Sequence, residues 1–212
     1  MMRLLAATVL AAVYSLNGGV PNVQTVKQEI ITYYDSGRHD ADVARVDAHL
    51  QSYVDRRLKQ HVREPAVVFD IDDTMLSTFA YEQAHDFGYD ARSWSRWEHE
   101  DRFPPILPTR RLARELVREH VAIFYVTGRR QSQREVTIRE LALAGYPKPA
   151  GYSFRPARDH ADSVIPFKSA ARAAIAARGF DILASIGDQW SDLRGGHAEH
   201  LYKLPNPMYL IP

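Results

Sequence analysis

The sequence predicts an α/β fold in which a central parallel sheet has helices on both faces. Three apolar runs, at 67–69, 121–126 and 182–186, have the composition of buried strands, and segments with helical spacing lie between them. Strands that alternate with helices in this way form parallel sheets. The 212 residues are enough for one domain with a substantial core, since 45% of them are hydrophobic and 25% are charged.

Two helices are predicted ahead of the first strand, as an N-terminal helical extension. Apolar residues recur at helical spacing between Val23 and Tyr34, and again between Asp40 and Val62. A turn at 35–37, which ends in glycine, separates the two segments. The sheet therefore begins only after two helices.

The first strand brings two carboxylates to one end of the sheet. The apolar run Val67–Phe69 stops at Asp70, and Asp72 follows two residues later. Ligands of open α/β sheets bind at this carboxyl edge. Two carboxylates so close repel each other unless a cation or a shared proton offsets their charge. Mg²⁺ is the predicted cation, because it prefers oxygen ligands and often bridges carboxylate and phosphate. An ordinary acidic turn is the simpler alternative.

A small lid is predicted to be inserted after this strand, at about residues 77–108. The segment is rich in aromatic and acidic side chains and ends in prolines. It is too small to form a large cap domain, so the site below it should be open. Most of its rings are expected to pack a small core of their own, while one or two face a substrate. Trp94 and Trp97 are spaced to share one helical face.

Polar residues also follow the later strands. Thr127 and Arg129 come after the second apolar run, and Asp188 and Asp192 come after the third. Lys168 lies at the start of an Ala-rich helical pattern, where a cation opposes the helix dipole, so we expect it to have a partner elsewhere. Each feature alone has a plain structural explanation, but their succession at strand ends indicates one site.

Further elements complete the alternating pattern. Helices are predicted at 109–119, at 131–144 with Gly145 as its C-cap, and at 167–178. A short strand is predicted at 151–155. The chain ends in a tail interrupted by prolines, for which no strand is predicted.

Four motifs in this order resemble those of the haloacid dehalogenase (HAD) superfamily. They are Asp70-x-Asp72, Thr127, Lys168 and Gly187-Asp188-x-x-x-Asp192. The residues that flank these motifs, together with the tail at 204–209, resemble those of the acid phosphatase branch. This branch includes class B and class C bacterial acid phosphatases and plant vegetative storage proteins. The likeness covers about residues 23–212, and an ordered set is far more specific than one motif. It implies a Rossmann-like HAD fold.

The resemblance implies a Mg²⁺-dependent acid phosphatase that works through an aspartyl-phosphate. Asp70 would be the nucleophile, and Asp72 the general acid and base. The Asp70 carboxylate, the Asp72 backbone carbonyl and Asp188 would hold Mg²⁺. Asp192 would orient a metal-bound water or the lysine.

The resemblance also assigns the phosphate-binding residues. The Thr127 hydroxyl and the Lys168 ammonium would hold the phosphoryl oxygens, and Arg129 is a further candidate. The implied substrates are small phosphomonoesters. Nucleoside monophosphates are one hypothesis, because the aromatic lid could stack a base. The oligomeric state has no signature in the sequence.

Two other functions are compatible with parts of this pattern. Plant storage proteins of the same branch can lack the nucleophilic Asp, but Asp70 is present here, which disfavours a non-catalytic storage or binding role. Phosphoacceptor signalling domains also use carboxylates, Mg²⁺, Thr and Lys at strand ends. Their phosphorylated Asp ends the third strand, and no comparable Asp ends an apolar run between Asp73 and Thr127.

Composition excludes several classes of function. With 27 Lys and Arg against 26 Asp and Glu, the formal net charge is +1, and no basic patch indicates nucleic-acid binding. The absence of cysteine excludes disulfides, thiolate metal sites and a cysteine nucleophile. His197 and His200 are three apart, but no third nitrogen ligand accompanies them, so they are not expected to bind metal.

The N-terminus predicts a signal peptide within residues 1–22. Arg3 precedes an uncharged apolar stretch from Leu4 to Leu16, which is too short to favour a membrane-spanning helix. A lipobox cysteine is absent, so no membrane anchor is expected after processing. The protein is therefore predicted to be secreted or periplasmic. A cytoplasmic protein with a buried N-terminal helix is the alternative.

Overall fold

The computed structural model describes residues 19–211. The signal peptide predicted at 1–22 lies outside them except at 19–22, which is exposed chain without helix or strand. Export therefore stays a prediction. Within the described range, no helix combines the length and the apolarity that crossing a membrane requires.

Within residues 19–211, five parallel strands form one sheet. In chain order they are β1 (Pro65–Phe69), β2 (Ala122–Arg130), β3 (Gly151–Arg155), β4 (Asp181–Gly187) and β5 (His200–Lys203). Their order across the sheet is β3-β2-β1-β4-β5, and every pairing is parallel. The chain runs from β1 outward to β3 and then returns to the other side of β1. The strand order thus reverses between β1 and β4, which is where such sheets form a ligand crevice.

Helices cover both faces of the sheet, as predicted. They are α1 (Val23–Asp35), α2 (Arg38–Leu58), α3 (Phe79–Ala84), α4 (Ala91–His99), α5 (Leu107–Arg118), α6 (Arg134–Leu143), α7 (Ile165–Ala177) and α8 (Trp190–Leu193), with a 3₁₀ turn at Gln131–Gln133. Alternation along β1 explains the two layers. Val67 and Phe69 join the large core with α2 and α5, whereas Ala66 and Val68 join a smaller core with α7.

The structure corrects the predicted end of one strand and adds another strand. The second strand does not end at Val126 but continues to Arg130, so Thr127 and Arg129 belong to β2 itself. The prediction also missed β5, because His200–Lys203 is short, mostly exposed and lacks an apolar alternation.

The inserted segment contains α3 and α4 and a small aromatic core. Tyr81 contacts Trp97 edge to face with their ring centroids 5.5 Å apart, and Trp94 lies 4.9 Å from Phe103. Both tryptophans of α4 therefore pack into one cluster, as their spacing predicted. Offset and edge-on ring pairs of this kind add stability beyond the area they bury.

A buried carboxyl group between α2 and α5 makes stability depend on pH. Asp47 is 5% exposed, and the nearby Thr109 hydroxyl and Arg111 charge oppose the effect of its burial only in part. Burial raises its pKa to about 7. The folded state therefore binds a proton on Asp47 more tightly than the unfolded state does. The stability that this bound proton contributes is lost as pH rises from the unfolded pKa towards 7.

We therefore expect Asp47→Asn to stabilise the protein at pH 8 by on the order of 2 to 4 kcal/mol, and by less at pH 5. Asn keeps the shape of the side chain and removes the charge. Urea unfolding of both proteins at the two pH values measures the difference. An equal gap at pH 5 and pH 8 would show that Asp47 does not titrate in this range.

Candidate active site

A cavity of about 500 Å³ opens at the carboxyl ends of the central strands. Asp70 follows β1, Asp188 follows β4, and both line it. Lys168 from the first turn of α7 and Asp192 from α8 also line it, beside further charged residues. Four of the predicted site residues, distant in sequence, thus meet at one point because parallel strands share their carboxyl edge.

Lys168 joins two of these carboxylates. Its ammonium donates one hydrogen bond to Asp70 Oδ1 and another, 2.6 Å long, to Asp192 Oδ1. Burial alone would lower the pKa of Lys168, but Asp192 and Asp70 raise it above its usual value, so the lysine stays charged. These are the partners that its unfavourable place in the first helical turn led us to expect.

Asp70 carries a perturbed proton affinity. It is 7% exposed, and its backbone N–H donates to the Ile186 carbonyl, which ties it to β4. Burial and then the charge of Asp192 raise its pKa, although Lys168 opposes them. Strong perturbation of a buried carboxyl group in a cleft is typical of functional sites.

Asp188 is held in place by amide donors. The side chains of Gln189 and Asn206 each donate to its Oδ2 over 2.7 Å. Its Oδ1 has one longer contact, 3.4 Å, from the Thr74 hydroxyl. Burial raises the pKa of Asp188 well above its usual value, and Asp192 and Asp70 add to the rise.

This carboxylate cluster fits a divalent cation. One oxygen from each of Asp70, Asp188 and Asp192 lies within 4.8 Å of the others, and all three residues are buried. The Lys168 ammonium is in ion-pair contact with two of them, Asp70 and Asp192. A hard cation with oxygen ligands would remove the remaining repulsion. Asp192, expected only to orient its neighbours, is thus close enough to be a ligand.

Asp72 is held by an arginine at the edge of the cavity. Arg129 Nε donates to both carboxylate oxygens of Asp72, at 3.1 Å from Oδ1 and 3.0 Å from Oδ2. Arg129 Nη2 donates to Asp72 Oδ1 at 2.7 Å. The other end of the guanidinium donates to Glu140 over 2.5 Å and to Thr137 over 3.0 Å. Arg129 is buried by these contacts. The structure therefore engages it with protein carboxylates, whereas the sequence suggested a phosphate.

Thr127 lies deeper than the other predicted residues. It is fully buried, its hydroxyl accepts the backbone N–H of Arg129 at 3.0 Å, and it is not among the residues that line the cavity. Gly128, its neighbour, does line the cavity. The expected phosphate-binding threonine is therefore next to the cavity in this conformation, with its oxygen engaged in a backbone turn.

Comparison with known proteins identifies the family. A family model described as HAD superfamily, subfamily IIIB (acid phosphatase), matches residues 8–212. The chain belongs to this family. Among its relatives, acid phosphatase 1 of Solanum lycopersicum is 34% identical over 148 residues, and vegetative storage protein 1 of Arabidopsis thaliana is 30% identical over 149 residues. Each match covers 68% of this chain, but only 58% and 55% of the relatives' own lengths.

A solved structure agrees in fold. The class C acid phosphatase of Bacillus anthracis with tungstate bound superposes with a TM-score of 0.74, covering 90% of this chain and 87% of that one. The two sequences are 20% identical. The predicted HAD fold is thus confirmed.

A buried arginine that sequence reasoning missed supports the last motif in this acid phosphatase family member. Arg172 of α7 is fully buried and donates to the backbone carbonyls of Asp192 at 2.6 Å and Leu193 at 3.1 Å, and also to those of Arg194 and Gly196. It thereby satisfies carbonyls at the end of a four-residue helix. In the sequence it reads as a surface residue of an Ala-rich helix, so no local signal marks it.

Gly187 is needed for close packing. A Cβ at this position would lie 2.6 Å from Asp192 Cβ and 2.7 Å from its Oδ2, so any other residue would displace Asp192. The same Asp192 oxygen accepts the Gln189 backbone N–H over 2.7 Å. The Gly-Asp motif thus brings the two carboxylates of this loop against the strand end.

Asp73 ties the first motif to the C-terminal tail. It has a positive φ of 51° and accepts the Thr78 backbone N–H at 2.9 Å and the Tyr209 hydroxyl at 2.6 Å. A residue in this conformation is uncommon unless its surroundings hold it there. The turn after Asp72, the start of the inserted segment and the tail are therefore fixed through one carboxylate.

Proposed function

We propose that the protein is a Mg²⁺-dependent phosphomonoesterase that forms an aspartyl-phosphate on Asp70. The observation that carries this is the buried Asp70 carboxylate at the end of the central strand, in contact with Lys168 and beside Asp188 on one cavity wall. A nucleophile in this position splits one difficult displacement into two easier ones. The membership of an acid phosphatase family supports the reaction class.

The proposed reaction uses two carboxyl groups in sequence. An Asp70 oxygen attacks phosphorus, and the bond from phosphorus to the alcohol oxygen breaks as Asp72 gives that oxygen its proton. Asp72 then takes a proton from water, whose oxygen attacks phosphorus and releases phosphate from Asp70. Asp70, Asp188 and the Asp72 carbonyl would hold Mg²⁺, which offsets phosphoryl charge when bound.

Lys168 and Arg129 serve this reaction in different ways. The Lys168 ammonium lies against Asp70, where it can also reach a phosphoryl oxygen that is transferred to that residue. Arg129 is a positioning residue, since its fork holds both oxygens of Asp72. We assign Thr127 to the same phosphate pocket, where a ligand would compete with the Arg129 backbone for its hydroxyl.

The proposed substrates are small phosphomonoesters, including nucleoside monophosphates. The cavity has the size of a small-molecule site. Phe87, Tyr89 and Trp94 from the inserted segment line it and could stack a flat ring. Tungstate, bound in the Bacillus anthracis neighbour, is a tetrahedral oxyanion like phosphate.

Metal removal tests the proposal. Hydrolysis of p-nitrophenyl phosphate by the native protein is expected to fall about 100-fold or more in excess EDTA, because several kcal/mol of transition-state stabilisation are lost. Added Mg²⁺ should restore it, and Ca²⁺, a larger ion with longer ligand distances, should restore less. Turnover that is equal with and without EDTA would refute the metal-dependent mechanism.

A storage role is the second candidate, because vegetative storage protein 1 is among the relatives. Asp70 and the other motif residues argue against it, since a storage protein has no need of them. The same assay separates the two: a storage protein would show no turnover from acid to neutral pH, with or without Mg²⁺.

A further inference from the structure

Glu82 is a buried carboxyl group that the proposed reaction does not use. It belongs to α3 in the inserted segment, is 6% exposed, and lines the same cavity as Asp70 and Asp72. Among the described residues its side chain has no hydrogen bond or ion pair. Burial, helped by the charge of Asp73, raises its pKa to about 7. A largely buried carboxylate without a charged partner is costly.

The cations that line the cavity are all engaged elsewhere. Lys168 binds Asp70 and Asp192, and Arg129 binds Asp72 and Glu140. The two other arginines of the lining are held by the loop at 156–161: Arg130 donates to the Pro156 carbonyl at 3.0 Å, and Arg155 to Asp159 at 3.1 Å. None of these four lining cations therefore pairs with Glu82 in the described structure.

Aromatic rings from the inserted segment share this cavity with Glu82. The backbone N–H of Phe87 donates to the Glu82 carbonyl at 2.7 Å, so the two residues are fixed relative to each other. Tyr89 and Trp94 line the cavity as well, with their rings 5.7 Å apart. Ring faces attract cations, and a carboxylate forms its strongest hydrogen bonds with charged donors.

The geometry points to Glu82 as the residue that selects phosphomonoesters whose alcohol part carries a protonated amine. The phosphate of such a substrate would lie at Asp70 and Lys168, and its ammonium would donate to the Glu82 carboxylate between aromatic side chains. This inference rests on the proposed function, because it assigns the rest of the substrate of that same site. The substrate ammonium would be the charged partner that no cation of the cavity lining provides for Glu82.

The test compares pairs of substrates that differ only in the ammonium group. A series of ω-aminoalkyl phosphates is measured against the alkyl phosphates in which a methyl group replaces the ammonium, so that chain length is also sampled. The ratio of kcat/KM within the best pair is expected to favour the amine by roughly 10- to 100-fold. This ratio corresponds to the free energy of one hydrogen bond to a charged group. In Glu82→Gln, which keeps the shape and loses the charge, the ratio should fall towards one.

Glu135→Gln provides the matched control, because Glu135 is an exposed glutamate of α6 outside the cavity lining and its loss should leave the ratio unchanged. A native ratio near one for every chain length, or an equal ratio in Glu82→Gln, would overturn the inference.

Failure of the proposed function looks different, since neither substrate would then turn over. In that case calorimetric binding to the protein decides: tighter binding of the amine that is lost in Glu82→Gln supports the inference, and equal or absent binding refutes it.

Discussion

Asp70→Asn is expected to lower kcat for p-nitrophenyl phosphate by roughly 10⁴-fold or more, which is the scale of loss when a nucleophile is removed. Asn has the same shape as Asp but cannot form the acyl phosphate. The side chain would also lose its ion pair with Lys168, while Asp192 still holds that lysine. Steady-state kinetics with saturating Mg²⁺ measure the loss.

The same variant should remain folded, which separates chemistry from stability. Because burial raises the pKa of Asp70, its charge is unfavourable in the metal-free folded state, and we expect the unfolding midpoint at pH 8 to equal or exceed that of the native protein. Asp181→Asn is the control, since this exposed residue begins β4 at the opposite end of the sheet. Activity of Asp70→Asn within tenfold of native would rule out a covalent role.

Arg129→Met is expected to destabilise the protein by about 3 to 5 kcal/mol, because it leaves the buried Glu140 and Glu98 and the partly buried Asp72 without their shared cation. It should also lower kcat by roughly 100-fold, the size of a general acid contribution, with a smaller change in KM. Arg129→Lys keeps the charge without the fork and should recover part of both losses. Urea unfolding and steady-state kinetics provide the two readouts.

The kinetic pattern distinguishes the two roles considered for Arg129. If it bound the substrate phosphate, as the sequence suggested, KM would rise more than kcat falls. Arg118→Met is the matched control for stability, since Arg118 pairs with Glu115 on the exposed end of α5. Exposed ion pairs of this kind contribute about 1 kcal/mol or less. A loss of stability as small as that of the control would contradict the buried network.

Much of the fold was predictable because the spacing of apolar residues along the chain indicates each strand and helix. The buried runs of β1, β2 and β4 and the amphipathic helices α2 and α5 each carry their own pattern, and their alternation predicts a parallel sheet. β5 was not predictable, because His200–Lys203 becomes a strand only through pairing with β4 at the sheet edge. The extension of β2 beyond Val126 likewise depends on its pairing with β3 through Arg130.

The candidate site was predictable in its members but not in its contacts. Asp70, Lys168, Asp188 and Asp192 were singled out by motif and strand position, and the structure brings them together. Contacts between distant residues leave no local trace, so the pairing of Arg129 with Asp72 was missed. The same holds for Arg172, which lies under the loop after Asp192 and looks in the sequence like any helical arginine.

The sequence by itself determined the alternation of strands and helices, the order of the polar strand ends and the likeness to HAD acid phosphatases. Each of these depends on short local patterns and on their order along the chain. Only the tertiary structure decided which charges neutralise each other. It paired Lys168 with two carboxylates and engaged Arg129 with Asp72 and Glu140, and it left Glu82 without an ion-pair partner among the described residues. The physical reason is that burial makes each charge depend on its nearest neighbours in space, and folding alone selects those neighbours.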